Sequence, residues 1–228
     1  MTVYLLDSTL RFPDVNSAEE DGLVAVGGNL SPERLILAYG SGLFPWYDQP
    51  PILWFSPDPR AAIIPNELKV PRRLDRWLRG QHLELSLDRD FPSVVDKCAS
   101  IPRPGQNGTW INQEMRDAYN QLHKLGFAHS CEAWIEDRLV GGIYGVSLGS
   151  AFFAESMFFL EPNASSAALV SLTRQLARWK FSILDCQIQN PHLKRFGICE
   201  WSRNLYLERL KQALLKPTKR GPWCFGSA

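Results

Sequence analysis

A chain of 228 residues, 45% hydrophobic and 21% charged, can bury a sizeable core and is too apolar to be a disordered or collagen-like polymer. Its formal net charge of +1 supplies no global field, so a polyanionic partner would have to be met by a local patch. Five cysteines without a Cys-x-x-Cys pair argue against a disulfide framework or zinc ribbon; with no basic and apolar leader and no run of 18 apolar residues, a soluble cytoplasmic protein is expected.

Residues 1 to about 62 are rich in Gly, Pro and aromatics and predict few long elements. One short helix is signalled by Ser31 as N-cap, Pro32, Glu33 in the first turn and Gly40 as the stop, with Leu35 and Tyr39 on one face. After it, Phe44-Pro45-Trp46-Tyr47 and Trp54-Phe55-Ser56-Pro57-Asp58-Pro59-Arg60 hold large rings in proline-fixed loops. Such rings serve either as a ligand surface or as the core of a small loop-rich unit. From Lys69 to Arg79 a second helix turns Leu74, Trp77 and Leu78 inward and Arg72, Arg73, Arg76 and Arg79 outward. A solvated face is the usual meaning of such a run, but five basic residues against one acid also suit a phosphate backbone.

Gly108-Thr109-Trp110-Ile111 precede a helix capped by Asn112, with Met115, Ala118, Tyr119, Leu122 and Leu125 at helical spacing and Gly126 closing it. Segments 128–136, 139–148 and 151–159 read as three strands of an antiparallel meander. The third places Glu155 among Phe152, Phe153, Met157 and Phe158, where a carboxylate needs a cation or hydrogen-bond donors. A helix over 163–180, striped with Ala168, Leu169, Leu172, Leu176 and Trp179, then leads into a strand beginning at Phe181. Strands, crossing helix and strand predict an open sheet of the α+β or α/β kind. Short helices near 193–196 and over 202–215 complete the chain.

The stretch FSILDCQIQNPH, Phe181 to His192, starts apolar and then carries Asp185 and Gln187, two residues apart and therefore expected on one strand face. Burying that pair is costly unless the groups bond each other, the backbone or a ligand. Spacing alone leaves a satisfied structural pair and a functional site both open. Gly145-Val146-Ser147-Leu148-Gly149 matches the G-x-S-x-G nucleophile elbow, but a strand follows where the elbow needs a helix. His82, His123, His129 and His192 have no mutual spacing suited to a metal, and no P-loop or G-x-G-x-x-G occurs, so neither metal nor cofactor is expected.

Taken together, GGNLSPERLILAYGSGLFPW, ILWFSPDPR, GTWI, GGIYGVSLGSAFFAESMF, NASSAAL and LDCQIQNPHLKRFG resemble the leucyl/phenylalanyl-tRNA–protein transferases. The resemblance runs in order from about residue 22 to 200. It implies an α+β protein with a small N-terminal domain, residues 1–62, and a GNAT-like acyltransferase domain, residues 63–228. The implied reaction moves Leu, Phe or, less well, Met from aminoacyl-tRNA to the α-amine of proteins beginning with Arg or Lys, creating an N-end rule degradation signal. By similarity Asp185 and Gln187 are catalytic, Gln187 contacting the amine and Asp185 orienting Gln187, while Glu155 and Asn190 bind the acceptor. Ile143, Phe152, Met157, Leu169, Leu172 and Leu176 would form the aminoacyl pocket. Tyr39, Trp46, Trp110 and Tyr119 would hold the terminal adenosine, and Arg72, Arg73, Arg76 and Arg79 the acceptor-stem phosphates.

The chemistry fits those residues. The donor ester is already activated, and an α-amine of pKa about 7.7–8.0 is partly neutral at pH 7, so positioning dominates. A pocket that tells one methylene by only about 1–3 kcal/mol accepts Leu, Phe and Met naturally. Ile143, Leu172, Leu176 and Pro191 depart from the family pattern and touch pocket shape. Two rivals remain: a GNAT-type N-acetyltransferase, and a non-catalytic tRNA-binding module. Against the first, Glu161 to Ala167 lacks the glycines of a pyrophosphate loop.

Overall fold

Alternation, caps and turns divide the chain between two sheets, described in a computed structural model over residues 3–80, 82–101 and 110–226. The first has the order β1-β2-β4-β3, from β1 (Tyr4–Leu6), β2 (Leu23–Gly27), β3 (Phe44–Pro45) and β4 (Leu53–Phe55). Between β2 and β3 runs α1 (Pro32–Gly40), started as expected by Ser31 Oγ accepting from Arg34 N–H at 3.4 Å. Trp54 and Trp46 divide the roles left open for the N-terminal rings. Trp54 is fully buried and donates its indole N–H to the Gly27 carbonyl, whereas Trp46 is 44% exposed.

The second sheet comprises β5 (Arg60–Ile63), β6 (Glu84–Leu87), β7 (Ala128–Ile135), β8 (Arg138–Leu148), β9 (Ala151–Phe159), β10 (Ile183–Gln187) and β11 (Cys199–Trp201). Its spatial order is β11-β5-β10-β9-β8-β7-β6, and β10 is parallel to β9 while the other pairs are antiparallel. The expected domain boundary after residue 62 falls inside β5; the chain passes from one sheet to the other between Phe55 and Arg60. The cores are also continuous, since Leu35, Tyr39 and Trp54 share one cluster with Val94, Tyr119 and Phe153.

The meander β7–β8–β9 matches its prediction. Glu136 and Asp137 both take positive φ, 47° and 61°, the backbone of a two-residue hairpin whose twist suits the strands. Ser147 lies buried in β8 opposite Phe152, with β9 following, so no elbow forms. Over the sheet pack α2 (Arg72–Leu78), α3 (Phe91–Ser100), α4 (Gln113–Lys124) and α5 (Ala164–Arg178), with α6 (Pro191–Lys194) and α7 (Arg203–Leu214) following β10 and β11. Helix α5 is the crossover between parallel β9 and β10, and it fits closely: a Cβ on Gly141 of β8 would stand 2.5 Å from that of Ala164. Gly108 and Thr109 lie outside the described residues. No helix among the described residues is long and apolar enough to cross a membrane.

Candidate active site

A cavity of about 230 Å³ opens where β3, β8, β9, α5 and the end of β10 meet. Phe44, Pro45, Trp46 and Trp110 line it together with an apolar group, Ile143, Met157 and Leu169, and with Glu155, Cys186, Gln187, Ile188, Asn190 and Leu193. Two polar networks meet at its wall, one behind Asp185 and one around Glu155.

Asp185 is fully buried and its carboxylate is saturated. Arg60 grips it through two bonds, Nε to Oδ1 at 2.9 Å and Nη2 to Oδ2 at 2.7 Å; Tyr206 donates to Oδ2 at 2.7 Å. The guanidinium is held between the rings of Phe44 and Tyr206 and donates Nη1 to the Gly42 carbonyl at 3.2 Å. The remaining bond to Asp185 Oδ1 comes from the backbone N–H of Gln187 at 2.9 Å. That bond closes a local turn: Gln187 adopts φ 58° and the pairing of β10 with β5 shifts register between Asp185 and Gln187. A bulge cancels the alternation on which a shared strand face depends.

Gln187 instead donates its side-chain Nε2 to Glu155 Oε1 at 2.9 Å. Glu155 Oε2 accepts from Tyr119 OH at 2.7 Å, and the Tyr119 and Tyr39 hydroxyls lie 2.6 Å apart. Burial raises the Glu155 carboxyl to about 7, against the tyrosine and Gln187 bonds that favour its charge. In its charged form the carboxylate can only accept, so it fixes Gln187 with NH₂ toward Glu155 and leaves the amide oxygen as the acceptor for a ligand N–H. Cys186, between the two polar residues and on the cavity wall, is kept protonated by burial, which removes it as a nucleophile.

The sequence finds its counterpart in known proteins. The family model for leucyl/phenylalanyl-tRNA protein transferase matches residues 62–211, and that for the N-terminal domain of the same transferase matches residues 28–58. The chain belongs to that family. A leucyl/phenylalanyl-tRNA–protein transferase of Anaeromyxobacter sp. (strain Fw109-5) is 53% identical over 98% of this chain and 95% of its own. Another, of Myxococcus xanthus, is 48% identical over 100% and 99% respectively. Among solved structures, a conserved Staphylococcus epidermidis protein of unknown function aligns at TM-score 0.43 and 11% identity, over 79% of this chain and 68% of that one. A likeness that loose assigns no fold. The protein is an aminoacyltransferase, with aminoacyl-tRNA as donor and proteins as acceptors.

Within this transferase the structure brings together Glu155, Gln187, Asn190, Trp46, Trp110, Ile143, Met157 and Leu169 around one cavity. It moves others. Phe152, Leu172 and Leu176 are fully buried and line no part of the cavity; they pack in the same core cluster as its wall residues Ile143 and Leu169. Tyr39 and Tyr119 are likewise fully buried, so they present no ring to a nucleoside and serve Glu155 through their hydroxyls. Asp185 bonds the backbone N–H of Gln187, not its side chain. Asn190, on the cavity wall, caps α6 by accepting from Leu193 N–H with its Oδ1 at 2.9 Å. Arg72, Arg73 and Arg76 on α2 and Arg79 at its C-cap are all exposed, and Arg79 pairs with Asp75 at 3.1 Å.

Sequence reasoning missed Arg60 and Tyr206. Arg60 closes a proline-rich loop and opens the apolar run Ala61-Ala62-Ile63-Ile64; a cation entering a buried strand was the available signal that Asp185 had a partner. It also missed that Asp88, His123 and His129 converge within 4.8 Å. Most of their polar atoms are already engaged: His129 faces Asp88 Oδ2 at 2.7 Å and the Gly126 carbonyl, His123 Nδ1 faces the Ala128 carbonyl, and Asp88 accepts from Ser130 and Trp223 N–H. The trio ties the C-terminal Trp223 to β7.

Proposed function

We propose that the transferase moves Leu, Phe or, less well, Met from aminoacyl-tRNA to the α-amine of proteins beginning with Arg or Lys, marking them for degradation in the cytoplasm. The observation that carries this reading is the Gln187 amide, fixed by Glu155 at the wall of an apolar cavity flanked by Trp46 and Trp110. Ile143, Met157 and Leu169 take the donor side chain, and Trp46 and Trp110 stack its adenosine. The Gln187 oxygen accepts an N–H of the neutral α-amine and aims its lone pair at the ester carbonyl. The C–N bond forms, the C–O bond breaks toward the ribose oxygen, and that oxygen leaves with a proton. Glu155, near 7, lies within about one unit of an α-amine, so its carboxylate attracts the ammonium and exchanges a proton with it at little cost.

Asp185 acts at one remove, as the anchor of the Gln187 backbone, and Arg72, Arg73, Arg76 and Arg79 meet acceptor-stem phosphates. We further propose that the larger unit is GNAT-like and that the small N-terminal unit ends before Arg60; the parallel β9–α5–β10 crossover and the separate four-stranded sheet support this division.

Incubation with labelled Leu-tRNA and peptides beginning Arg, Lys or Ala tests the reading. Transfer to the first two and not the third is expected; no transfer to Arg or Lys peptides overturns it. Trp110→Ala is expected to raise the donor KM roughly five- to 150-fold, the loss of one base-stacking surface worth about 1–3 kcal/mol, with the acceptor KM unchanged.

A further inference from the structure

The outer lip of the cavity is α6. Asn190 and Leu193 line the cavity, and the Asn190 cap fixes the turn that joins them. The next two residues, Lys194 and Arg195, are exposed beside that lip. Arg195 lies over the Phe196 ring and donates to Ser166 Oγ at 3.2 Å, in the first turn of α5. Asn163, the residue capping α5, makes no side-chain cap bond. A guanidinium therefore stands against the positive end of a 15-residue helix, an unfavourable pairing that an anion between them reverses. His192, 3.1 Å from the same guanidinium, has its pKa lowered by burial and then by Arg195, so it stays neutral and brings no second cation against Arg195.

This rim continues toward α2. Lys69, also exposed, donates its backbone N–H to the Phe196 carbonyl at 3.0 Å and lays its stem on Gly197, and Arg72, Arg73 and Arg76 follow it. Among the described residues, none of Lys69, Lys194 and Arg195 has an ion-pair partner. The acids on that stretch are Glu67 and Asp75, and Asp75 is taken by Arg79 and Arg174.

We propose that Lys194 and Arg195 form a phosphate-binding rim for the single-stranded 3′ end of the donor tRNA. It holds the phosphodiesters next to the terminal adenosine while Lys69 and α2 carry the strand outward. The inference rests on the proposed donor site between Trp46 and Trp110. It also sorts the two substrates: the polyanion is drawn to the α6 lip, and an acceptor with a cationic N-terminus is repelled from it toward Glu155.

The test compares two donors, Phe-tRNA and 3′-phenylalanyl-adenosine, which carries no phosphate, with the Lys194→Ala/Arg195→Ala variant. For the tRNA donor, KM is expected to rise tenfold or more. The slope of log KM against log salt should flatten by about 1.4, the figure for two single-strand phosphate contacts. For the phosphate-free donor KM should move less than twofold, and Arg195→Lys should recover part of the tRNA effect. A tRNA KM within twofold of wild type, or an equal loss with both donors, overturns the rim. Wild-type protein that transfers from neither donor removes the functional reading beneath it.

Discussion

Arg60→Met is expected to cost about 3–5 kcal/mol of folding stability and to abolish transfer, because it leaves the Asp185 carboxylate buried with no cation. Against a usual total of about 5–15 kcal/mol, that is a large fraction of the fold. Loss of stability alone would not tell a structural salt bridge from a positioning one. The double variant Arg60→Met/Asp185→Leu separates them. Replacing both ions by apolar side chains of similar volume is often neutral, so most of the stability should return; the Tyr206 hydroxyl, left without its acceptor, keeps the recovery incomplete. Activity should not return. Without Asp185 Oδ1 nothing holds the Gln187 N–H, and the bulge that turns the amide toward Glu155 relaxes. Denaturant melts and single-turnover transfer on the three variants give the answer; a double variant that regains both stability and rate would reduce the pair to a structural device.

How far the sequence could be read depended on the range of the interactions. The meander was legible because its hairpin turns and alternation are local, and so were the caps at Ser31 and Asn112, each bonding a backbone N–H three residues on. Strand β5 was not. Its four residues show no alternation, since all are buried, and they sit between β10 and β11 from distant parts of the chain. The site divided the same way. Asp185, Gln187 and Glu155 stood out as polar residues in apolar strands, a cost readable residue by residue. Which of them bonded which was set by the Asp185–Gln187 bulge and by Arg60, 125 residues away. The tyrosines illustrate the limit: periodicity put Tyr119 on the inner face of α4, but whether an inner ring meets a ligand or a carboxylate is decided by what packs opposite.

Glu155→Gln should convert a pH-dependent stability into a nearly flat one. Burial raises this carboxyl from 4.5 to about 7, so between those values the folded protein holds a proton that the unfolded chain has lost. Protonation therefore favours the fold. The contribution is fully present below about pH 4.5 and is lost as pH rises through 7, a change of about 3 kcal/mol at the far side. Glutamine keeps the shape, accepts from Tyr119 with its oxygen while its NH₂ meets a Gln187 amide turned oxygen-inward, and has no proton to lose, so the wild type should fall relative to the variant across that window. If both melt in parallel from pH 4.5 to 8, Glu155 is not the buried titrating group. The same swap probes function. A cationic acceptor beside Glu155 stabilises its charged form, so below pH 7 acceptor binding must expel a proton. Calorimetry at pH 6 in buffers of different ionisation enthalpy should detect that proton with wild type and lose it with Glu155→Gln, while the acceptor KM rises and the donor KM does not. Equal proton release from both would move the acceptor amine away from Glu155 and leave the carboxylate only the task of aiming Gln187.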